Sequence, residues 1–335
     1  MTSTQPTVLV LTAQFDPTAD MVICELNRRD VSVFRCDAAG FPQQLELSAT
    51  LGTGWSGWLR TAHRTVHLES VRSVYYRRPT AFVLPDGMTD SERRFAAAEA
   101  RIGFGGVLTS LDCFWLNHPN RIADAEYKPL QLQVATGCGL RVPRTLVTNV
   151  AAEARSFAEG LAGPVVYKPL SSVRTTQDGR STALYTTLVP ADDQGDPRIE
   201  LTAHLFQEWV PKAHDVRVTV VRDDCFAVEV HARHSPRAVV DWRADYASHT
   251  YHVTRVPDGV REGVAAMLSR LGLHFGAFDF VVTPEGEWVF LEINPNGQWG
   301  WLEDAAGVPI SAAIADALQQ GKTDDEQRGD RERGR

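Results

Sequence analysis

Two apolar segments near the end of the chain carry acidic side chains, and this combination restricts the fold more than any other part of the sequence. Ala277–Thr283 and Trp288–Asn294 flank a Pro-Glu-Gly-Glu turn, a pattern that predicts a β-hairpin. Asp279 lies in the first segment, while Glu292 and Asn294 lie two residues apart in the second and therefore share a face. Carboxylates among apolar neighbours are costly unless they are paired or bind a metal ion. These oxygen donors suit Mg²⁺, and the alternative is a solvent-exposed strand face with ordinary polar residues.

Lysine is rare in this chain, so a lysine within a predicted element invites a specific explanation. Of 34 basic residues only four are lysines, which are Lys128, Lys168, Lys212 and Lys322. Lys168 ends a strand predicted over Pro164–Lys168, where its ammonium group can reach a phosphate or simply reach solvent. Lys128 lies in a helix predicted over Ile122–Ala135, with an exposed helical lysine as the alternative. Because Pro129 is typical of a first helical turn, a helix start at Lys128 is also consistent with the sequence.

The region between Lys168 and the hairpin supplies further candidates for binding a nucleotide. Ser171–Gly179 is rich in small hydroxyl residues, and we interpret it as a lid over a triphosphate or as a plain surface loop. Phe206–Val210 lies at the end of a predicted strand. Its backbone N–H and C=O groups suit hydrogen bonds to the edge of an adenine, and the alternative is a strand that simply runs into a turn. Candidate anion clamps are Arg217, Arg233 and Arg243. The alternatives are an ion pair between Arg217 and Asp215 and, for the other two, a solvated basic face.

The order of predicted elements indicates several lobes rather than one small domain. Thr7–Thr12, Thr18–Arg29 and Val31–Cys36 are a strand, a helix and a strand, which together predict a βαβ unit. The last third of the chain is mostly strands. The predicted division is an α/β domain over residues 1–117, a mixed segment over 118–202, a strand-rich segment over 203–320 and a disordered charged tail over 321–335.

Composition and charge argue against several classes of function. A net charge of −8 disfavours a general nucleic-acid binder. No run of about 18 apolar residues is present, so we expect no membrane partner. The polar beginning of the chain lacks a signal-peptide layout, and the five cysteines include no C-x-x-C pair, which predicts a cytoplasmic protein with reduced thiols. Histidines three residues apart, His231 with His234 and His249 with His252, fall on opposite faces of a strand, which disfavours a shared zinc ion.

The order of the chemically active residues resembles the ATP-grasp superfamily. A lysine on a helix, a lysine on a strand, a Gln-Glu pair at a strand end and an acidic hairpin follow one another, and Leu291–Asn294 is similar to that superfamily's L-E-[IV]-N strand. The chain also resembles the microviridin-type ribosomal peptide maturases, the graspetide synthetases, from about residue 7 to about residue 318. That resemblance lies in Tyr75–Pro79, Trp115–Asn117, Lys128–Asn149 and Asp241–Arg243.

The resemblance implies a fold of mixed α/β and α+β class, in which an N-terminal α/β domain precedes two α+β lobes that clasp ATP. It implies nucleotide contacts from Lys128, Lys168, Gln207, Glu208, Trp209, Val210 and Asp215. It implies two Mg²⁺ ions held by Asp279, Glu292 and Asn294, with Glu292 shared between them. The candidate catalytic residues are Lys168, Arg217, Arg233 and Arg243. Asn296 and Trp299, just after the metal motif, receive no role.

The activity implied by the resemblance is ATP-dependent macrocyclisation. Family members activate Asp or Glu side chains of a ribosomally made precursor peptide and join them to Ser or Thr hydroxyls as esters, or to Lys amines as amides. The expected partner is such a peptide with a leader segment, and the expected assembly is a homodimer. One alternative is a RimK-like ligase that adds an amino acid to a small molecule or to a protein C-terminus. The other is a non-catalytic ATP-binding module, which does not need both metal carboxylates.

Overall fold

The computed structural model describes residues 5–171, 185–232, 240–242 and 249–322, together with the backbone of two strands between residues 174 and 183. Arg233 and Arg243, two of the predicted anion clamps, lie outside the described residues. The same holds for the side chains of residues 172–179 in the predicted lid and for residues 323–335 of the predicted tail. The first two residues of that tail contact the protein, because Arg222 donates a hydrogen bond to the carbonyl of Gly321 and Lys322 pairs with Asp112.

The amino-terminal region consists of a parallel sheet and a small antiparallel sheet. Its strands are β1 (Thr7–Thr12), β2 (Ser32–Cys36), β3 (Glu46–Leu51), β4 (Trp55–Arg60), β5 (Thr65–His67), β6 (Val71–Arg78) and β7 (Phe114–Leu116). Its helices are α1 (Pro17–Arg28), α2 (Asp90–Glu99) and α3 (Gly105–Thr109). The parallel sheet has the order β2-β1-β6-β7, and β3, β4 and β5 form the antiparallel sheet. The predicted βαβ unit is confirmed, because β1 pairs in parallel with β2 and α1 connects them.

The middle region is built on a second antiparallel sheet. Its elements are α4 (Pro119–Ala125), α5 (Lys128–Gly137), β8 (Thr145–Thr148), α6 (Ala151–Glu159), β9 (Val165–Lys168), β10 (Arg174–Gln177), β11 (Arg180–Ala183), β12 (Thr187–Leu188) and β13 (His204–Glu208). The sheet order is β12-β9-β13-β8. The predicted boundary between residues 202 and 203 is too early, because β13 hydrogen-bonds to β8 and β9 rather than to the next sheet. The remaining domain boundaries stay predictions.

The last region contains a five-stranded antiparallel sheet. Its elements are β14 (His214–Val221), β15 (Asp224–Ala232), β16 (His249–Thr254), α7 (Asp258–Leu271), β17 (Phe275–Val282), β18 (Trp288–Asn294), α8 (Gly300–Ala306) and α9 (Ile310–Gln320). The sheet order is β16-β15-β14-β17-β18, so the predicted hairpin is confirmed as β17 and β18. The mixed α/β and α+β fold class is confirmed as well. None of the helices in the described part of the chain has the length and hydropathy that crossing a bilayer requires.

The helix predicted over Ile122–Ala135 is in fact two helices. Helix α4 ends at Ala125, and α5 begins at Lys128 with Pro129 in its first turn, where a missing backbone N–H costs nothing. In one continuous helix, Pro129 would have no N–H to donate to the carbonyl of Ala125 and its ring would clash with that carbonyl, which explains the break. The alternative start at Lys128 is therefore the correct one, and it puts this lysine at the amino-terminal end of a helix.

Asn117 joins the amino-terminal region to the last region. Its amide group donates hydrogen bonds to the carbonyls of Phe275 and Pro295, each at 2.8 Å. Its oxygen accepts hydrogen bonds from the amides of His274 at 2.8 Å and Phe275 at 3.0 Å. The side chain is buried, and every polar atom of its amide has a backbone partner. Asn117 therefore fixes the position of the chain on both sides of the acidic hairpin.

We expect Asn117→Ala to lower the free energy of unfolding by about 3 kcal/mol or more, because several buried backbone groups lose their partner together. Urea denaturation followed by circular dichroism measures the loss. Asn120→Ala is the matched control, since Asn120 is exposed near the start of α4, and we expect a change within about 0.5 kcal/mol. Equal effects of the two substitutions would contradict the bridging role of Asn117.

Candidate active site

One face of the five-stranded sheet carries a group of charged side chains around Arg217. Val216 and Val218 alternate with Arg217 along β14, so the valines pack beneath the sheet and the arginine points to the opposite side. The register places Arg217 opposite Asp279, and Asp279 opposite Glu292. A register shift follows Asp279 in this pairing. Three charged side chains on neighbouring strands are thereby brought into one row.

Both lysines singled out in the sequence reach Glu292. The Nζ atom of Lys168 lies 3.3 Å from Oε2 of Glu292, and the Nζ atom of Lys128 lies 3.6 Å from the same oxygen. Lys168 also donates a hydrogen bond to the carbonyl of Leu291 at 3.0 Å, and Lys128 donates one to the carbonyl of Pro169 at 2.5 Å. The β9 strand supplies Lys168 and the start of α5 supplies Lys128. Two cationic groups from separate elements therefore meet at one carboxylate of the hairpin.

Arg217 and Asp279 form a buried ion pair at the other side of this row. The guanidinium Nη1 atom lies 2.8 Å from Oδ1 of Asp279, and both side chains are less than a tenth exposed. Nη2 of Arg217 donates a hydrogen bond to the carbonyl of Gln298 at 3.3 Å. The predicted alternative, an ion pair between Arg217 and Asp215, is not the arrangement found. Arg217 instead holds one of the two predicted metal carboxylates in place.

Asn294 ends β18 opposite Ala277 and is exposed. Its side-chain oxygen accepts a hydrogen bond from the amide of Asn296 at 3.0 Å, which shapes the turn after the strand. Asn294 is therefore beside Glu292 along the strand, but it lies apart from the cleft described next. Its predicted role as a metal ligand stays a prediction.

A cleft lies between the middle sheet and the five-stranded sheet, with an empty volume of about 590 Å³ that includes its opening to solvent. Three predicted charged residues form part of its wall: Lys168, Asp279 and Glu292. The wall also includes all of the predicted strand-end residues and the acid that follows them, which are Gln207, Glu208, Trp209, Val210 and Asp215. Residues predicted from distant parts of the sequence thus surround one cavity.

Lys212 was not predicted as a site residue, yet it lies on the wall of this cleft. Its Nζ atom lies 2.6 Å from Oδ2 and 2.7 Å from Oδ1 of Asp215, and both side chains are buried. Burial raises the pKa of Asp215 to about 6 against the lowering effect of Lys212, and the neighbouring carboxylates of Asp279 and Asp241 raise it further. The rarity of lysine and the three-residue spacing from Asp215 were the available signals for Lys212.

We expect the natural chain to lose stability relative to the Asp215→Asn variant as the pH rises. The quantity compared is the difference between their free energies of unfolding. The folded-state pKa of about 6 exceeds the ordinary 3.8, so the folded protein binds this proton more tightly than the unfolded chain does. The resulting stabilisation is present at low pH and is lost as the pH rises through 6, by about 2 kcal/mol between roughly pH 4.5 and 7.5. Urea denaturation of both proteins across this range measures it, and a pH-independent difference would contradict the raised pKa.

Arg77 and Asn296 form a second contact between the amino-terminal region and the hairpin. Nη1 of Arg77 donates hydrogen bonds to the backbone carbonyl and the side-chain oxygen of Asn296, each at 2.8 Å. The side-chain amide of Asn296 donates to the carbonyl of Arg77. Nη2 of Arg77 donates to Oε1 of Gln298 at 2.6 Å, and the carbonyl of Gln298 accepts from Arg217. Asn296 thus has a positioning role that its place in the sequence did not reveal.

Asp241 and Trp242 complete the described wall opposite the hairpin. The amide of Thr186 donates a hydrogen bond to Oδ2 of Asp241 at 3.2 Å, which connects this segment to the end of the middle sheet. Trp242 packs against Trp301, with ring centroids 5.2 Å apart. The sequence had marked this segment only through the motif that ends at Arg243.

Comparison with known proteins gives matches over nearly the whole chain. The family model described as the MvdD pre-ATP grasp domain matches residues 7–123. A RiPP-associated ATP-grasp ligase from Chryseobacterium gregarium, solved with ADP and a leader and core peptide, is 27% identical, with 94% of this chain and 97% of that chain covered and a TM-score of 0.87. A search of curated protein sequences gives no match.

Two macrocyclases from Microcystis aeruginosa MRC are similar to the same extent. MdnC, solved with its precursor peptide MdnA, is 29% identical, with 94% of this chain and 99% of that chain covered and a TM-score of 0.83. MdnB is 32% identical, with 93% of this chain and 98% of that chain covered and a TM-score of 0.77. The fold and the site define an ATP-grasp ligase, an enzyme that uses ATP to join a carboxylate to a nucleophile. Within that class, the chain belongs to the graspetide maturase family.

Proposed function

We propose that this protein is an ATP-dependent macrocyclase of a ribosomally made precursor peptide. It activates Asp or Glu side chains of the peptide and joins them to Ser or Thr hydroxyls as esters, or to Lys amines as amides. The observation that carries the proposal is the convergence of Lys128 and Lys168 on Glu292, directly beside Asp279. Precursor peptides and ADP in the structures of the relatives support the assignment of substrate and nucleotide.

The charge distribution in the cleft suits MgATP. Carboxylate and amide oxygens are the ligands that Mg²⁺ accepts together with phosphate oxygens and water, and Asp279, Glu292 and Asn294 are the residues that would hold the ions. Bound Mg²⁺ would neutralise negative charge on the phosphates. Glu292 has Lys128 and Lys168 within ion-pair distance, so both ammonium groups would be available to a phosphate of ATP near this carboxylate. The strand-end residues, Gln207 to Val210, would hold the adenine and ribose.

The reaction has two chemical steps. A side-chain carboxylate of the bound peptide attacks the γ-phosphorus of ATP, its oxygen forms the new P–O bond, and ADP leaves. The product is an acyl phosphate, whose carbonyl carbon is then attacked by a hydroxyl or amine of the same peptide. Phosphate leaves, and the proton of the nucleophile passes to solvent. Lys128, Lys168 and Arg217 lie where positive charge stabilises the transferring group, either directly or by positioning Asp279.

Ring closure depends on holding both reacting groups of one peptide together. An intramolecular reaction of well-oriented groups avoids most of the entropy loss of a bimolecular step. Exclusion of water is also required, because water hydrolyses an acyl phosphate. The buried walls around Lys168 and Asp215 contribute to a dry site. We further propose that the leader segment of the peptide docks on the middle region. We also propose that the enzyme works as a homodimer, and light scattering measures this oligomeric state directly.

The proposal is tested with a candidate precursor peptide that contains Thr or Ser and Asp or Glu residues, incubated with the enzyme, ATP and Mg²⁺. We expect ADP release and a mass loss of one water for each bond formed within a peptide. Treatment with mild base then distinguishes the two types of bond, because esters hydrolyse and amides persist. A mass gain equal to an added amino acid would favour the RimK-like alternative. Absence of ADP release with the peptide present would favour a non-catalytic ATP-binding module.

We expect Lys168→Met to raise the KM for ATP by roughly 10- to 100-fold, which corresponds to the loss of one charge-assisted hydrogen bond to a phosphate. Methionine preserves the packing of the buried stem. Lys322→Met is the matched control, because Lys322 pairs with Asp112 far from the cleft and is expected to leave the KM unchanged. An unchanged ATP dependence of the Lys168 variant would assign this lysine a purely structural role.

A further inference from the structure

A cluster of histidines lies on the face of the five-stranded sheet opposite the nucleotide cleft. His214 immediately precedes Asp215, so the two side chains point to opposite faces of β14. His231 lies on the neighbouring strand β15, and its ring centroid is 4.9 Å from that of His214. Glu229 precedes His231 by two residues and therefore shares its face. Three side chains with metal-ligating atoms are thus neighbours on two adjacent strands.

The ligating atoms of these residues point towards one another. Nε2 of His231 lies 2.9 Å from Oε2 of Glu229, and Nε2 of His214 lies 3.8 Å from Oε1 of the same carboxylate. All of these atoms lie within 4.8 Å of one another. A tetrahedral zinc ion with ligands about 2.0–2.2 Å away separates adjacent ligand atoms by roughly 3.3–3.5 Å. The observed distances bracket that value, so small side-chain rotations make room for an ion.

We propose that His214, Glu229 and His231 form a binding site for one Zn²⁺ ion. Two imidazoles and one carboxylate are a ligand set that zinc accepts, with water in the fourth position. His231 is 36% exposed, which provides the route of entry for the ion and for that water. His252 lies opposite Glu229 on β16 and packs edge-on against the ring of His231, at 5.4 Å between centroids, which restricts the orientation of that ring.

Both types of side chain in the cluster are common zinc ligands, and the shared carboxylate of Glu229 lies between the two imidazoles.

The proposed ion is structural and separate from the reaction. It would tie β14 to β15 at the end where β14 begins, next to the buried Lys212–Asp215 pair. The sheet itself lies between the ion and the cleft, so the zinc site is independent of the proposed macrocyclase activity. Binding of zinc and ring closure of a peptide are measured separately, and failure of one does not imply failure of the other.

Calorimetric titration of the full-length chain with Zn²⁺, in excess Mg²⁺ that competes for the oxygen ligands of the cleft, tests the site. We expect one ion per chain. Glu229→Gln, which preserves side-chain volume, and His231→Asn, which replaces the imidazole by a smaller polar group, are each expected to weaken binding by at least about tenfold. His67→Ala is the control, because His67 is exposed in β5 of the amino-terminal region and is expected to leave affinity unchanged. Circular dichroism of each variant verifies folding.

X-ray absorption of the unmodified zinc complex adds a test that does not depend on any variant. We expect nitrogen and oxygen ligands with imidazole scattering and no sulfur. The proposal is overturned if no zinc binds, if both variants bind as tightly as the natural chain, or if the ion has a sulfur ligand, since the last outcome would place it at a cysteine.

Discussion

Glu292→Gln is expected to reduce the rate of peptide ring closure roughly a thousandfold, because it removes the charge at the point where the two lysines and the hairpin meet. Glu292 lies within 3.6 Å of both ammonium groups and opposite Asp279. Glutamine preserves the shape of the side chain but is a weaker metal ligand. Loss of metal-based charge stabilisation is worth several kcal/mol in the transition state, which corresponds to this factor. Peptide binding involves other surfaces and is expected to change little.

The measurement is ADP release and product mass with saturating ATP, together with peptide affinity by fluorescence anisotropy. Glu287→Gln is the matched control, since Glu287 lies in the turn of the same hairpin, is mostly exposed and pairs with Arg141. We expect its activity to equal that of the natural enzyme. The buried Lys168 loses a counter-ion in the Glu292 variant, so its folding is verified by thermal denaturation. Turnover near the natural rate in a folded Glu292→Gln protein would refute the metal assignment.

Asp279→Asn is expected to reduce both activity and stability. The substitution removes a predicted metal ligand and leaves Arg217 buried beside a neutral amide. Removing one partner of a buried ion pair costs about 3–5 kcal/mol. We expect the lower end, about 3 kcal/mol, because the side-chain oxygen of asparagine can still accept the hydrogen bond from Arg217.

A second variant separates the two roles of Asp279. In Asp279→Asn with Arg217→Met, the unpaired charge is gone, so we expect most of the lost stability to return while ring closure stays at least about a hundredfold slow. Urea denaturation and the mass-based activity assay measure the two quantities on the same proteins. Recovery of activity together with stability would show that Asp279 acts only through folding.

The acidic hairpin and the amino-terminal βαβ unit were predictable because their strands are short, nearly continuous apolar runs with clear boundaries. β17 and β18 are mostly buried, and the turn between them contains proline and glycine. No element is predicted between Glu46 and His67, where the structure has β3, β4 and β5. Glu46–Leu51 does alternate polar and apolar residues, so the period-two signal of β3 was present in the sequence and was missed.

The parts of the site that sequence did not predict are those created by contacts between distant segments. Arg77 and Asn296 are separated by most of the chain, and only the packing of the amino-terminal region on the hairpin brings them together. The histidine spacings considered in the sequence likewise did not include the pair of His214 and His231. These two residues become neighbours through the pairing of β14 with β15, which spacing along one strand cannot show. Lys212 belongs to no recognised motif. Its signals in the sequence were the rarity of lysine in this chain and its spacing from Asp215.

The most direct test of the account is an experimental structure of the protein with Mg²⁺ and a non-hydrolysable ATP analogue. The account predicts the γ-phosphate within hydrogen-bonding distance of the Nζ atoms of Lys128 and Lys168, with Mg²⁺ bound by Asp279 and Glu292 and the adenine between the strand-end residues 207–210. A nucleotide bound elsewhere, or bound in this cleft while both lysines stay paired with Glu292 and no metal ion touches the hairpin, would contradict it.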